Sequence, residues 1–149
     1  MLKFQKRRSD NADFAGLVSF LDSYLAEKDG RDHDFYNQYN GISTIKYALV
    51  CYKENKPVAC GAIKEYGKDA MEVKRMFTLP EYRGMGIAGQ LLVELERWAV
   101  ELGAKRVVLE TGKKQVEAIS LYERSGYRPI PNYGQYIDIE TSVCYEKPL

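Results

Sequence analysis

The feature that most constrains the fold is a glycine-rich loop between a strand-like segment and a helix-like one. Residues 83–89 read Arg-Gly-Met-Gly-Ile-Ala-Gly. Glycines let backbone N–H groups approach a bound molecule closely, because they have no side chain. A helix that begins behind such a loop has unpaired N–H groups and about half a positive charge at its N-terminus. The segment therefore predicts a site for an anion such as phosphate or pyrophosphate, with a tight turn that binds nothing as the alternative.

Hydrophobic periodicity predicts the elements around this loop. An apolar stripe at helical spacing follows Ser9-Asp10, which we expect to cap a first helix. Strand-like runs at 47–53, 58–66 and 70–78 are joined by short turns and predict an antiparallel meander. A long helix, a strand at 105–110, a helix at 116–124 and strands at 127–130 and 141–146 follow the loop.

The strand–helix–strand unit behind the loop requires one parallel strand pair, because a crossover connects parallel strands. The expected fold class is therefore α/β, with a mixed, mostly antiparallel central sheet flanked by helices. A chain of 149 residues without a linker or repeat suits a single domain, residues 1–149.

Composition limits the chemistry that this domain can perform. Twenty-two Lys and Arg balance twenty-one Asp and Glu, which argues against a nucleic-acid or membrane-surface partner. Three cysteines without a C-x-x-C pair, and no apolar stretch near the ~20 residues of a membrane span, predict a soluble, cytoplasmic protein. The single histidine, His33, excludes a histidine-rich metal site, so we expect no metal. Acid–base chemistry is left to carboxylates, tyrosines, backbone groups or the substrate.

Two nucleotide-binding interpretations of the loop fit less well. Gly84, Gly86 and Gly89 match the dinucleotide fingerprint G-x-G-x-x-G, and Glu110 ends the next strand as a ribose-binding acid would. The fingerprint glycines follow their strand directly, whereas residues 79–83 intervene here. A phosphate loop of the nucleotide-hydrolase type is excluded because no Gly-Lys-Ser/Thr follows. A dinucleotide-binding oxidoreductase is therefore the less favoured alternative.

A third interpretation fits the motif and its surroundings. Arg83-x-x-Gly86-x-Ala88 resembles the [Q/R]-x-x-G-x-[G/A] signature of the GNAT superfamily of acyl-CoA-dependent N-acetyltransferases. The resemblance extends through residues 73–80, 109–111 and 118–127, and covers about residues 46–128. It implies a GNAT-type domain with a splayed parallel strand pair. It also implies acetyl transfer from acetyl-CoA, as co-substrate, to a primary amine by direct attack in a ternary complex.

The resemblance also implies where acetyl-CoA would bind. In the family, the pyrophosphate lies on backbone N–H groups of the signature loop, and the pantetheine arm pairs like an added strand with the end of the preceding strand. Gln115 stands where the family commonly has an asparagine that touches the cofactor. The cofactor-binding positions carried over are Met76, Phe77, Thr78, Arg83, Gly84, Met85, Gly86, Ile87, Ala88, Gly89, Gln115 and Tyr122.

Three residues are the catalytic candidates that the resemblance supplies. Tyr122 matches the family's tyrosine near the cofactor sulfur, and its phenol can protonate a departing thiolate. Glu72 and Glu110 match positions that different family members use as general base. Either carboxylate could act through an ordered water, and the placement of Glu110 at the strand end beside the cleft favours it slightly.

The resemblance also implies that the acceptor pocket is formed by about residues 30–43 and by residues 129–136. Tyr36, Tyr39, Tyr133 and Tyr136 are its candidate binding residues, and they suit a small or amino-acid-like amine. A protein or peptide N-acetyltransferase and a non-catalytic acyl-CoA-binding module stay open as alternatives. The sequence names neither the acceptor nor the oligomeric state, and a homodimer through the C-terminal strands also stays open.

Overall fold

The computed structural model of the protein describes residues 1–29 and 45–149. Seven strands form one sheet: β1 Leu2–Arg7, β2 Tyr47–Lys53, β3 Lys56–Tyr66, β4 Ala70–Thr78, β5 Arg106–Gly112, β6 Arg128–Ile130 and β7 Ser142–Pro148. The described helices are α1 Ala12–Asp29, α2 Ile87–Glu101 and α3 Val116–Arg124, with short 3₁₀ turns at Pro80–Tyr82 and Gly134–Tyr136. None of the helices in the described part of the chain is both long and apolar enough to span a membrane.

The sheet has the strand order β1-β2-β3-β4-β5-β7-β6. Only β4 and β5 run parallel among these neighbours, and the other five pairs are antiparallel. This arrangement confirms the predicted mixed, mostly antiparallel α/β fold. The first hairpin turns at Glu54 and Asn55, which have φ of 51° and 67°. Such a two-residue turn matches the twist of the flanking strands, so β3 begins at Lys56, two residues before the predicted start.

The parallel pair is short and then diverges, as predicted. Only three residues of β4 pair with β5, and the last pair is Glu72 with Val108. Beyond this point β4 stays paired with β3 on one side, and β5 stays paired with β7. Residues 73–78 of β4 therefore have one edge of backbone groups that faces the gap between the two strands. This gap positions the site described below.

A β-bulge on β4 adjusts which side chains face each side of the sheet. The β3–β4 register shifts between Cys60 and Ala62, which pair with Phe77 and Lys74. The extra β4 residue falls at Arg75, whose φ of +60° lies in the left-handed region. Lys74 and Phe77 consequently face the same side of the sheet although they are three positions apart along β4.

Helices cover both faces of the sheet. Helix α1 packs Phe14, Leu17, Val18 and Leu21 on one face, which we call the α1 face. Helices α2 and α3 cover the other, the α2 face, where Leu91, Leu92 and Leu95 are fully buried. Full burial of each such leucine stabilises the fold by roughly 1.5–3 kcal/mol.

The N-terminus of α1 differs from the prediction. The side-chain Oδ1 of Asn11 accepts hydrogen bonds from the backbone N–H groups of Asp13, at 3.0 Å, and Phe14, at 3.1 Å. Asn11 is therefore the capping residue, and the predicted cap at Ser9-Asp10 is wrong by one or two residues. Several adjacent residues here have side chains that can cap a helix, so the local sequence alone did not show which of them is the cap.

Candidate active site

A cleft of about 630 Å³ opens where β4 and β5 diverge. The end of β4, the glycine loop, the start of α3 and one side of α1 line it. Most of the residues predicted to bind cofactor or to act in catalysis line this cleft. Met85 is the exception among the cofactor positions, since its side chain is 52% exposed and lies outside the lining. Tyr36 and Tyr39 lie outside the described residues.

The glycine loop presents backbone to the cleft. Gly84 and Gly86 have φ of 78° and 77°, a conformation that disfavours residues with a Cβ. A Cβ placed on either glycine would meet no described heavy atom within 4 Å, so open space lies beside the loop. Helix α2 begins at Ile87, and no side chain among the described residues caps its first N–H groups. Backbone groups of Gly86, Ile87, Ala88 and Gly89 at the cleft wall fit the cradle that a pyrophosphate requires.

Arg83, the first residue of the signature, uses its side chain to hold the loop. Its Nε donates a hydrogen bond to the carbonyl oxygen of Thr78 at 2.9 Å. Its guanidinium lies over the rings of Tyr24, at 5.2 Å, and Phe77, at 5.5 Å. These contacts tie the loop to the end of β4 and to α1.

The end of β4 supplies the other wall. Met76, Phe77 and Thr78 line the cleft on the stretch of β4 that has lost β5 as a neighbour. An extended ligand chain could pair with this edge as an added strand would. The neighbouring Arg75 is committed elsewhere, because its guanidinium forms an ion pair with Asp22 of α1.

The two candidate carboxylates both line the cleft, and neutral hydroxyl groups hold each in place. The phenol of Tyr133 donates a hydrogen bond to Oε2 of Glu72 at 2.5 Å. The hydroxyl of Ser142 donates one to Oε2 of Glu110 at 2.7 Å. Glu72 is buried at the last β4–β5 pair, whereas Glu110 is only half-buried, on β5 beyond the point of divergence. Tyr133 contacts Glu72 from outside the cleft and is not among the residues that line it.

Lys74 is a charged site residue that the sequence reasoning missed. Its Nζ lies 3.9 Å from Oε1 of Glu72 and donates a hydrogen bond to the phenol oxygen of Tyr136 at 3.4 Å. Burial lowers the pKa of Lys74, and the negative charges of Glu72 and Glu110 oppose that shift. A signal was available, since two charged residues two positions apart in a strongly apolar strand share one face. No comparable pattern in the sequence indicated that Ser142 would contact Glu110.

Tyr122 lies on α3 against the cleft. Burial raises the pKa of its phenol above the usual value, and the charge of Glu110 adds to the shift. The phenol therefore keeps its proton at neutral pH. Tyr122 packs against Tyr127 with ring centroids 5.8 Å apart. Gln115 is buried directly before α3 and also lines the cleft.

No metal centre is visible in the described part of the chain. Residues 1–29 and 45–149 contain no group of three or more His, Cys, Asp or Glu side chains placed to hold a metal ion. The groups that can act chemically in the described cleft are carboxylates, a lysine, phenols and backbone N–H groups.

Known proteins are similar to this chain in both sequence and architecture. The family model of the acetyltransferase (GNAT) family matches residues 15–127, more than half of the chain. The "IAA acetyltransferase" of Azospirillum brasilense is 38% identical over 140 residues, which are 89% of this chain and 88% of that protein.

Solved structures agree with this likeness. A Klebsiella pneumoniae protein described as an acyl-CoA N-acyltransferase superimposes with a TM-score of 0.85 at 30% identity, covering 100% of this chain and 98% of its own. A GNAT family acetyltransferase from Elizabethkingia anophelis, solved with acetyl-CoA bound, has the same fold with a TM-score of 0.74 at 17% identity, covering 99% and 98%. The signature loop, the splayed strands and these likenesses lead to one conclusion: the chain belongs to the GNAT family and is an acetyl-CoA-dependent acyltransferase.

Proposed function

We propose that the protein transfers the acetyl group of acetyl-CoA to the primary amine of a small molecule by direct attack in a ternary complex. The observation that carries this proposal is the continuity of one cleft. The same cleft has uncapped backbone N–H groups of α2 at one end and the carboxylates Glu72 and Glu110 at the other. An anionic thioester and an amine can therefore meet between β4 and β5.

The residues that would hold acetyl-CoA are those with exposed backbone groups at the cleft. Gly84 and Gly86–Gly89 would take the pyrophosphate, and Met76, Phe77 and Thr78 would pair with the pantetheine arm. Acetyl-CoA supplies the activated acyl group. A backbone N–H near Met76 or Phe77 would donate to the thioester carbonyl as negative charge develops on its oxygen. Arg83 would keep the loop in position through Thr78 and Tyr24.

Glu110 is the proposed general base. It lies past the last β4–β5 pair and is less buried than Glu72, so a water or an amine can reach it. Both carboxylates accept a hydrogen bond from a hydroxyl group, but Glu72 also lies next to the ammonium of Lys74. Glu110 would take the proton of the attacking amine through an ordered water. The amine nitrogen then bonds to the acyl carbon as the carbon–sulfur bond breaks.

Tyr122 is the proposed proton donor to the departing thiolate. Its raised pKa keeps the phenol protonated until a thiolate develops beside it. The proton balance then closes, because Glu110 receives the amine proton and Tyr122 gives one to the sulfur.

Direct transfer is favoured over a cysteine acyl-enzyme because the thiols are unsuited to attack. Burial raises the pKa of Cys51 and Cys144 to about 11 and that of Cys60 to about 12. Thiols of this kind are almost fully protonated at neutral pH and are poor nucleophiles. All three are free, which also supports the proposal of a reducing, cytoplasmic location.

The test is release of CoA from acetyl-CoA in the presence of a panel of small amines and of peptides with a free N-terminus. Small amines should be turned over, and peptides should not. Acetyl-CoA binding without CoA release for any acceptor would support the acyl-CoA-binding module instead. Binding of NAD in place of acetyl-CoA would support the oxidoreductase.

The role of Glu110 is tested on the best amine of that panel. Glu110→Gln should lower kcat by about 10²–10⁴-fold, the usual contribution of a general base, and should remove the acidic limb of the kcat/KM profile. Glu72→Gln is the matched comparison, since it removes a neighbouring carboxylate by the same change. If Glu72→Gln loses the acidic limb and Glu110→Gln keeps it, the assignment of the base is reversed.

A further inference from the structure

The end of the cleft that contains Glu72 and Glu110 also contains a buried ammonium group, which the proposed acetyl-transfer steps do not use. Lys74 lines the cleft, and its side chain is only 6% exposed. It lies on β4 two residues after Glu72, so both side chains project from the α1 face toward the same space. A buried lysine is costly unless its charge is compensated.

The charge of Lys74 is compensated only weakly by its described neighbours. A lysine ammonium has three N–H donors, and its bonds to carboxylates are normally about 2.7–2.9 Å long. Here the distance to Oε1 of Glu72 is 3.9 Å, and the one described hydrogen bond, to the phenol of Tyr136, is 3.4 Å long. Among the described residues, no carboxylate oxygen lies within hydrogen-bond distance of this ammonium. A bound anion would improve its coordination.

The carboxylates beside Lys74 are held by neutral groups. Tyr133 donates to Glu72, and Ser142 donates to Glu110. These hydroxyls fix the orientation of both carboxylates without neutralising them. The nearby cation Arg75 is paired with Asp22 on α1. The site therefore places one ammonium and two carboxylates together, and hydroxyl groups orient both carboxylates.

We propose that the acceptor is an amine with a carboxylate on the adjacent carbon, an α-amino acid or a close analogue, and that Lys74 binds this carboxylate. The inference deepens the proposed function and rests on it. The charged atoms of Lys74 and Glu72 are 3.9 Å apart, and an α-amino acid holds its two charged groups one carbon apart. The ligand can thus align its carboxylate with Lys74 while its amine faces Glu72 and Glu110.

The experiment uses matched sets of acceptors with one side chain and three head groups. Each set contains an α-amino acid, its primary amide and the amine that lacks the carboxyl group, for example leucine, leucinamide and isoamylamine. CoA release gives kcat and KM for each acceptor with the native protein and with Lys74→Met. Lys64→Met is the control, because Lys64 lies opposite Glu72 on β3 but outside the cleft lining. Binding of acetyl-CoA by each variant checks that it is folded.

Lys74→Met should raise KM for the amino acid by about 10- to 100-fold, the range expected for a lost hydrogen bond between charged groups. The amide and the simple amine should change by less than about threefold, and Lys64→Met should leave all three unchanged. Comparing one acceptor between proteins cancels differences in intrinsic amine reactivity. Lys74→Arg should retain part of the preference for the carboxylate.

An equal loss for all three acceptors would show that Lys74 acts on the base or on folding, and would overturn the inference. A native enzyme that prefers the simple amine to the amino acid would overturn it without any variant. Failure of every amine to release CoA would instead refute the proposed function, so the two failures are distinguishable.

Discussion

Replacing Gly86 by alanine separates the conformational role of the glycine loop from its role in binding. Gly86 has φ of 77°, and a Cβ there would meet no described atom within 4 Å. The protein itself therefore has room for the methyl group, and only the backbone conformation is penalised. An alanine in the left-handed region costs about 1–2 kcal/mol. For a chain of this size, Tm should fall by about 2–8 °C.

The effect on acetyl-CoA should be larger than this strain implies. The added methyl projects from the residue that precedes the first turn of α2, where the pyrophosphate is proposed to lie. Losing one hydrogen bond to a charged oxygen corresponds to an increase in KM for acetyl-CoA of about 10- to 100-fold. The amine KM at saturating acetyl-CoA should stay within about threefold of the native value.

Gly67→Ala is a close control. Gly67 has φ of 64°, also has no described atom within 4 Å of its Cβ position, and lies in the β3–β4 turn outside the cleft lining. Gly67→Ala should lower Tm by about the same amount as Gly86→Ala and should keep the native KM for acetyl-CoA. The reasoning is refuted if Gly86→Ala keeps the native KM, or if Gly67→Ala raises KM equally.

Two further predictions concern catalysis and folding. Tyr122→Phe should lower kcat by at least about 10-fold at neutral pH, because the phenol with its raised pKa is the proposed acid. The KM for acetyl-CoA should stay at the native value. An unchanged kcat would exclude Tyr122 from proton transfer. Asn11→Ala should reduce the free energy of unfolding by about 0.5–2 kcal/mol in chemical denaturation, because two N–H groups of α1 lose their acceptor. Ser9→Ala is the control and should have no effect if Asn11 is the cap.

Hydrophobic periodicity and turn residues predicted the helices and strands well, because each of these signals lies within the element that it indicates or directly beside it. The boundaries of β4 and α3 match the predicted ranges, and the hairpin before β4 differs by two residues at one end. The error at the start of α1 has the same local origin, since Ser9, Asp10 and Asn11 can each accept hydrogen bonds from a helix N-terminus.

The candidate site was only partly predictable. Residues on one loop or one strand, such as Gly84, Gly86 and Met76, followed from a contiguous motif and its resemblance to a family. The partners of the two carboxylates did not, because Tyr133 is 61 residues from Glu72 and Ser142 is 32 residues from Glu110. Contacts of this range depend on strand order and register, which no local pattern encodes.

The sequence by itself determined the glycine-rich loop before α2, the α/β element order and the family of the enzyme. These properties follow from glycine spacing, hydrophobic period and motif order. Tertiary structure alone decided that the bulge at Arg75 puts Phe77 on the same face as Lys74, and that Arg83 braces the loop against α1. The physical reason is that a one-residue change of register reverses the face of every side chain beyond it. The polar contacts of Lys74 and Glu72 with Tyr136 and Tyr133 therefore arise from packing between distant segments.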